Sequence, residues 1–304
     1  MIATAKPQSP TLSEALQKYQ EVYLTSRNLA QRTRSEYSHD IADLISFLQT
    51  KCAVDEPIQV ERRHLEAYLA ELDRRGFTGS TRRRKVASIR SFFSFLEDEE
   101  AISQSPARKL IPPEREYYQP RVLTDKEYKR LQLACTHDIR NAALIELLLQ
   151  TGARLSEVAK LTLQDIELPA KVTKDEGNVG SARIFGKGRK ERTVTLNWKA
   201  CKAIKSYLQI RPKVEDNHLF ITKFGTGISP RAIRYTVKEY LGQASISNAS
   251  VHTLRHTFAT HMVKSKVSLA VVRDALGHAS LKTTSIYVGL AREAMDKELQ
   301  ANAL

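Results

Sequence analysis

The sequence predicts a mainly α-helical protein with a small β-sheet, organised as two domains, and three observations carry that prediction. At 304 residues and 41% hydrophobic content, the chain is long for one core and sufficient for two. Residues 11–105 hold helical periods separated by short polar breaks, with no pattern of a β-hairpin. After a proline-rich stretch the helical periods return, interrupted by β-branched segments that flank a Gly-Lys-Gly turn.

The first helical pattern is TLSEALQKYQEVYLTSR, in which Thr11 and Glu14 have capping-box spacing and Leu12, Leu16, Tyr19 and Tyr23 form a stripe. It predicts one amphipathic helix. RTRSEYSHDIADLISFLQT, ERRHLEAYLAELDRR and STRRRKVASIRSFFSFLEDEE predict three more, with Ser80 as the N-cap of the last. Residues 11–105 are therefore expected to form a helical bundle. SPARKLIPPEREYYQPRV follows with four prolines and no period, so a helix cannot cross it, and 106–122 is read as a linker.

Thr124 and Glu127 repeat the capping-box spacing and open a second domain, 123–304. KEYKRLQLACT and IRNAALIELLLQT predict helices, the latter closed by Gly152, and residues 154–165 are expected to resume as helix. Past Pro169, ARIF and ERTVTL flank GKGRK as a hairpin, and HLFIT is expected to be a further short strand. The loop KVTKDEGNVG (171–180) is longer and more acidic than a hairpin lead-in needs, and it takes no role in this reading. From Trp198 onward helices are expected to continue to the end.

A formal charge of +14 implies a polyanionic partner, since Lys and Arg gain binding free energy by releasing counterions condensed on nucleic acid. No apolar run has the length of a membrane span, and MIATAKPQSP lacks a secretory apolar stretch, so the expectation is a soluble cytoplasmic protein associated with the nucleoid, not a membrane protein. Cys52, Cys135 and Cys201 are odd in number and widely spaced, which argues against a disulfide framework or a zinc site. Charge gathers at the start of the fourth helix as Arg82, Arg83, Arg84, Lys85 and Arg90, and at the hairpin tip as Arg189, Lys190 and Arg192; these are read as phosphate contacts. Arg32 and Arg34, at the start of the second helix, are read the same way.

VHTLRHTFATHM has two faces at helical spacing, with Val251, Leu254, Phe258 and Met262 on the buried side and His252, Arg255 and His256 beside them. The i,i+4 histidines admit a metal reading. Against it, the segment lacks the Glu that a metalloprotease helix carries, and an adjacent arginine repels a cation. A scissile phosphate explains the group better, because a guanidinium can bind two equatorial oxygens of a phosphorane in a fork that lysine cannot match. Arg154, in a turn just past Gly152, is a second clamp of that kind. Lys187 sits between Gly186 and Gly188 at the hairpin tip, and Tyr287 lies nine residues after His278. Tyrosine is normally a core or surface aromatic, and the chain has eleven; the LGH…TT…IY context singles out Tyr287.

Four contexts in order, TGARLSEV (151–158), FGKGRKER (185–192), HTLRHTFATH (252–261) and LGHASLKTTSIY (276–287), resemble the signature of the tyrosine recombinases, the phage-integrase superfamily. The resemblance covers the second domain well and the first more loosely. It implies a C-shaped DNA clamp, with a helical SAM-like core-binding domain and a catalytic domain. It implies that Tyr287 attacks a backbone phosphate, Arg154 and Arg255 stabilise the phosphorane, Lys187 protonates the departing 5′ oxygen, and His252 and His278 manage protons and phosphate contacts. The implied product is a 3′-phosphotyrosyl bond, formed without metal or other cofactor, leading through a Holliday junction to recombinant DNA. The implied partners are double-stranded DNA at a specific site, a homotetramer on two duplexes, and accessory proteins or a paralogous recombinase.

Glu157 resembles a position the family uses to orient its arginine, although an ordinary helix carboxylate explains it almost as well, and His256 is the family's common neighbour of Arg255. The tail GLAREAMDKELQANAL, with Met295 and Leu299 at helical spacing, is expected to dock on a neighbouring protomer or on its own domain. The chain begins directly on the core-binding helices, which points to a simple Xer-like or transposon-resolvase-like branch without an arm-binding domain. A type IB topoisomerase, relaxing supercoils by the same chemistry, and a noncatalytic DNA-binding regulator are the rival readings.

Overall fold

The computed structural model describes residues 10–114, 120–175, 177–186, 191–278 and 280–292. The chain divides into two compact units, residues 1–118 and 119–304.

The N-terminal unit opens on the expected capping box: the Thr11 hydroxyl accepts from the Glu14 backbone at 3.2 Å while the Glu14 carboxylate accepts from the Thr11 backbone at 2.8 Å. Helix α1 (Leu12–Lys18) then runs into a π-helical turn (Tyr19–Tyr23) and a short α2 (Leu24–Ser26), where a single regular helix was expected. The irregular turn coincides with an aromatic cluster: Tyr19 stacks on Tyr23 at 5.2 Å and meets the edge of Phe92 at 5.2 Å. Helices α3 (Gln31–Cys52), α4 (Arg62–Arg74) and α5 (Gly79–Asp98) complete the bundle. Leu12, Leu44, Leu48, Leu65, Leu72, Ile89, Phe92 and Phe93 form its core. The cap of α5 is Thr78, whose hydroxyl accepts from the Thr81 backbone, and not Ser80. Ala107 and Leu110, past the last helix, are buried in the same core.

The basic start of α5 faces inward more than its composition suggests. Lys85, read as a phosphate contact, is buried, and its ammonium lies 2.8 Å from Asp43, 3.3 Å from Asp40 and 3.2 Å from the Tyr68 hydroxyl. Arg84 pairs with Asp40 and Glu36, and Arg82 with Asp73 at 2.7 Å. Arg83 and Arg90 donate to the carbonyls of Pro113 and Leu110, tying down the segment that leaves the bundle. The expectation of a phosphate-binding cluster is therefore corrected for Lys85: a buried carboxylate needs a paired cation more than the surface needs another charge. Arg82, Arg83 and Arg84 already hold protein partners.

In the C-terminal unit the Thr124–Glu127 box opens α6 (Asp125–Ala134), and α7 (Ile139–Thr151) follows. Leu144, Ile145, Leu147, Leu148 and Leu149 are all buried, so α7 is covered nearly all round; it packs against α9 (Trp198–Ile210) and α11 (Val251–Lys264). Gly152 ends α7 in the left-handed conformation (φ 59°), and a Cβ there would lie 2.5 Å from the Phe258 ring. Residues 154–165 do not resume as one helix. Only α8 (Leu155–Val158) forms, followed by a 3₁₀ turn (Leu163–Asp165), because Thr162 and Asp165 close a local box and Thr162 bridges to His218.

Strands β1 (Ile166–Glu167), β2 (Gly180–Phe185) and β3 (Glu191–Leu196) make an antiparallel sheet in sequence order, paired from Gly180↔Leu196 to Phe185↔Glu191. The hairpin is as expected, but HLFIT is not a strand and makes only isolated bridges. Leu219, Phe220 and Ile221 are all buried instead of alternating, and the Arg211 guanidinium takes the carbonyls of Asp216, His218 and Leu219 that a ladder would need. Helices α10 (Pro230–Gln243), α12 (Leu269–Leu276) and α13 (residues 286–292) complete the unit. Among the described residues no helix is long and apolar enough to cross a membrane.

The buried ion cluster generates a test. Lys85→Met should destabilise the N-terminal unit by about 1–3 kcal/mol, since Asp40 and Asp43 each lose a buried cationic partner and keep one more, Arg84 and Arg75, whereas Arg32→Ala, at an exposed pair, should cost at most about 0.5 kcal/mol. Urea denaturation of the full chain reads both, and a Lys85→Met cost as small as that of Arg32→Ala would contradict the assignment.

Candidate active site

Three turns from distant stretches of sequence meet at the C-terminal end of α12. Helix termini leave carbonyls without intrahelical partners at the negative end of the dipole, and here three consecutive ones each take a different arginine. Ala275 O accepts from Arg192 Nε at 2.8 Å, Leu276 O from Arg255 Nη2 at 2.6 Å, and Gly277 O from Arg154 Nη2 at 3.0 Å. Gly277 adopts φ 63°, and a Cβ on it would come within 3.0 Å of the Arg192 guanidinium.

Glu157 lies at the centre of this collar and is buried. Its Oε1 accepts from Arg154 Nη1 at 2.7 Å and Arg192 Nη1 at 3.1 Å; its Oε2 accepts from Arg192 Nη2 at 2.7 Å and the Arg154 backbone N–H at 2.8 Å. Burial works to raise the Glu157 pKa, but the hydrogen bonds and charges of Arg192 and Arg154 outweigh it and hold the carboxyl below its usual range. Arg255 is buried and also donates Nη1 to Gly152 O at 2.6 Å, joining the end of α7 to the end of α12. Desolvation and the neighbouring Arg154 charge lower its pKa to about 10, which still leaves a full positive charge at neutral pH.

The histidines and the tyrosine close the other side. Tyr287, on α13, is 1% exposed, packs against Ala259, Val272 and Leu276, and has its hydroxyl 3.0 Å from His256 Nδ1. Its ring stacks on His278 at 6.3 Å. His278 in turn contacts the Thr284 hydroxyl through Nδ1 at 3.0 Å. Burial, then the charges of Arg255 and Arg154, lower the His278 pKa to about 4, and burial with His252 and Arg255 does the same for His256. His252 is exposed, yet partial desolvation and the charges of Arg255, Arg234 and Arg154 lower its pKa too. All three imidazoles are thus neutral at pH 7. Burial also raises the Tyr287 pKa, partly offset by Arg255, so the phenol stays protonated.

Of the residues singled out in the sequence, Arg154, His252, Arg255, His278 and Tyr287 therefore converge on one site. Lys187, Arg189 and Lys190 lie outside the described residues, as do Met295 and Leu299 of the tail. Two members were not recognised for what they are. His256, a neighbour in the motif, is the residue that contacts the Tyr287 hydroxyl. Arg192, read as a plain phosphate contact, is turned inward; the signal was available, because Arg192, Val194 and Leu196 share one face of β3 and the other two are core residues.

Residues 121–294 match the phage integrase family, and residues 16–100 match the phage integrase N-terminal SAM-like domain. Tyrosine recombinase XerC of Natranaerobius thermophilus is 33% identical over 282 residues, 88% of this chain and 91% of that protein. The XerH site-specific recombinase bound to a palindromic difH substrate shares the fold with a TM-score of 0.75 at 21% identity, covering 93% of this chain and 83% of that one. A lambda integrase tetramer bound to a Holliday junction gives a TM-score of 0.76 at 16% identity over 92% of this chain and 78% of its own. With one family match spanning more than half its length and a tyrosine recombinase aligned along most of it, the chain belongs to the phage integrase family, in its Xer-like branch of site-specific tyrosine recombinases.

Proposed function

We propose that this recombinase breaks and rejoins DNA strands with Tyr287 as nucleophile and Arg154 and Arg255 as the phosphate clamp. The convergence of Tyr287, both arginines and three neutral imidazoles from separate stretches of chain is the observation that carries this reading. Tyr287 Oη attacks phosphorus, forming a phosphotyrosyl ester at the 3′ side as the bond to the 5′ oxygen breaks. The phenolic proton passes to a neighbouring histidine, whose basicity the bound phosphate restores by offsetting the arginine charges, and Lys187 supplies the proton that the 5′ oxygen takes up. Each guanidinium keeps further N–H groups beyond those bonded to carbonyls or Glu157, and these are the donors for the equatorial oxygens of the phosphorane. The ester preserves the energy of the broken bond, so a 5′-hydroxyl from a second duplex reverses the attack and exchanges strands.

Tyr287 is buried with its hydroxyl against His256, so attack on a phosphate requires α13 to bring that hydroxyl toward the arginines. Residues 11–105 act as the core-binding domain, 106–122 as linker and 123–304 as the catalytic domain. The SAM-like match and the +14 charge support double-stranded DNA at a specific site as the partner. A homotetramer acting through a Holliday junction, the assembly in which lambda integrase is seen, is what strand exchange between two duplexes needs.

On a nicked suicide substrate, wild type should accumulate a covalent protein–DNA adduct that denaturing electrophoresis resolves, and Tyr287→Phe should form none while still binding the site. Adduct on Tyr287→Phe would refute the nucleophile. Arg255→Ala should lower the cleavage rate by about 10²–10³-fold at saturating DNA, with Arg255→Lys recovering only part of it; an unchanged rate would remove Arg255 from the clamp.

The depressed histidines set a pH dependence of stability. Between about pH 6.5 and about 4 the unfolded chain takes up protons that His256 and His278 refuse in the folded state. Stability from these groups is therefore complete above pH 6.5 and lost as pH falls toward 4. His256→Asn should lose less melting temperature than wild type on acidification through that range, and parallel curves would contradict the assignment.

A further inference from the structure

We infer that Arg192 is a positioning residue for strand cleavage, acting through Glu157 on the phosphate-binding guanidinium of Arg154. The inference rests on the role given to Arg154 above.

The Arg192 side chain is 12% exposed, too sequestered for the phosphate contact its place beside a basic hairpin suggests. Its donors are instead directed at the collar. Two reach the two oxygens of Glu157, and Nε reaches Ala275 O. Glu157 receives four donors, two from Arg192 and two from Arg154, so both carboxylate oxygens are engaged and the side chain has one available orientation. That orientation fixes Nη1 of Arg154, while Gly277 O fixes Nη2. Arg154 itself has its side chain 39% exposed and is not enclosed by apolar packing, so its direction depends on these two acceptors.

Among the described residues, removing Arg192 would leave the buried carboxylate with the half-exposed Arg154 as its one charged partner in contact. The groups facing Glu157 are Arg154 on its own turn, Arg192 on β3 and the more distant Arg255 on α11. With Arg192 gone, desolvation is opposed less and protonation of Glu157 moves up toward neutral pH. A neutral Glu157 no longer holds Arg154 by charge. Arg192 also joins β3 to the end of α12, whose next carbonyls hold Arg255 and Arg154. One side chain thus sets the strand, the helix end and the clamp relative to one another.

The test is single-turnover cleavage of the suicide substrate at saturating DNA by Arg192→Met and Arg192→Lys, each in the Glu157 and Glu157→Gln backgrounds, with site affinity measured in parallel. Arg192→Met should slow cleavage by about 10–100-fold, with affinity changed less than about threefold. Its rate should fall further as pH is lowered from 8 to 6, where wild type shows no such loss attributable to Glu157. Arg192→Lys, which restores a charge without the fork, should remove that acid limb but not recover the full rate. In the Glu157→Gln background Arg192→Met should cost little more, because the residue it acts through is already altered.

A merely structural arginine would give the same loss in both backgrounds and a flat pH profile, and either that or unchanged rates would overturn the inference. Should Arg192→Met not fold, the Arg192→Lys cycle decides by the same criterion of non-additivity. Tyr287→Phe serves as the control: adduct formed without the tyrosine would defeat the cleavage reading itself, independently of Arg192.

Discussion

The ionised carboxylate of Glu157, buried between two guanidinium groups, is the interaction on which the site depends. An isolated carboxylate at that depth would be neutralised or expelled, and four hydrogen bonds from Arg154 and Arg192 keep it charged. Opposite it stands the C-terminal end of α12, a second fixed negative element made only of backbone. Between the carboxylate and three peptide carbonyls, Arg154, Arg192 and Arg255 are held close together despite their mutual repulsion. Like charges brought this near need such compensation.

Tyr287 is held in the opposite way. The arginines are fixed with donors to spare, whereas the Tyr287 hydroxyl is withdrawn into an apolar pocket and capped by His256. Desolvation keeps the phenol protonated. The imidazoles of His256 and His278 beside it are neutral for the same reason, since burial disfavours their charged forms.

Charge distribution shows how far net charge can mislead about contact. The chain is strongly basic, yet much of the arginine and lysine at the start of α5 serves the bundle: Lys85 neutralises Asp40 and Asp43, and Arg83 and Arg90 hold the carbonyls of the segment leaving it. Arg83 and Arg90, bonded to neutral carbonyls, keep their charge and still add to a long-range field that attracts a polyanion, whereas that of Lys85 is cancelled by its carboxylates. Arg192 makes the same point within the site.

Helix caps, turns and the order of motifs were legible in the sequence because each depends on a few neighbouring residues. The Thr11–Glu14 and Thr124–Glu127 boxes, the reversal at Gly152, and the β2–β3 hairpin formed as their local chemistry dictates. Elements governed by distant contacts came out differently: HLFIT, expected as a short strand, has three successive buried side chains, and residues 154–165 are broken by a bridge to His218. Residue types and motif spacing singled out Arg154, His252, Arg255, His278 and Tyr287, and the fold brings these five together. Which nitrogen meets the Tyr287 hydroxyl, which arginines share Glu157 and which carbonyls receive them were decided only by tertiary packing. A side chain's partner is whatever the fold brings within 3 Å of it, and residues as far apart as 157 and 192, or 154 and 277, have no local relation from which that distance could be read.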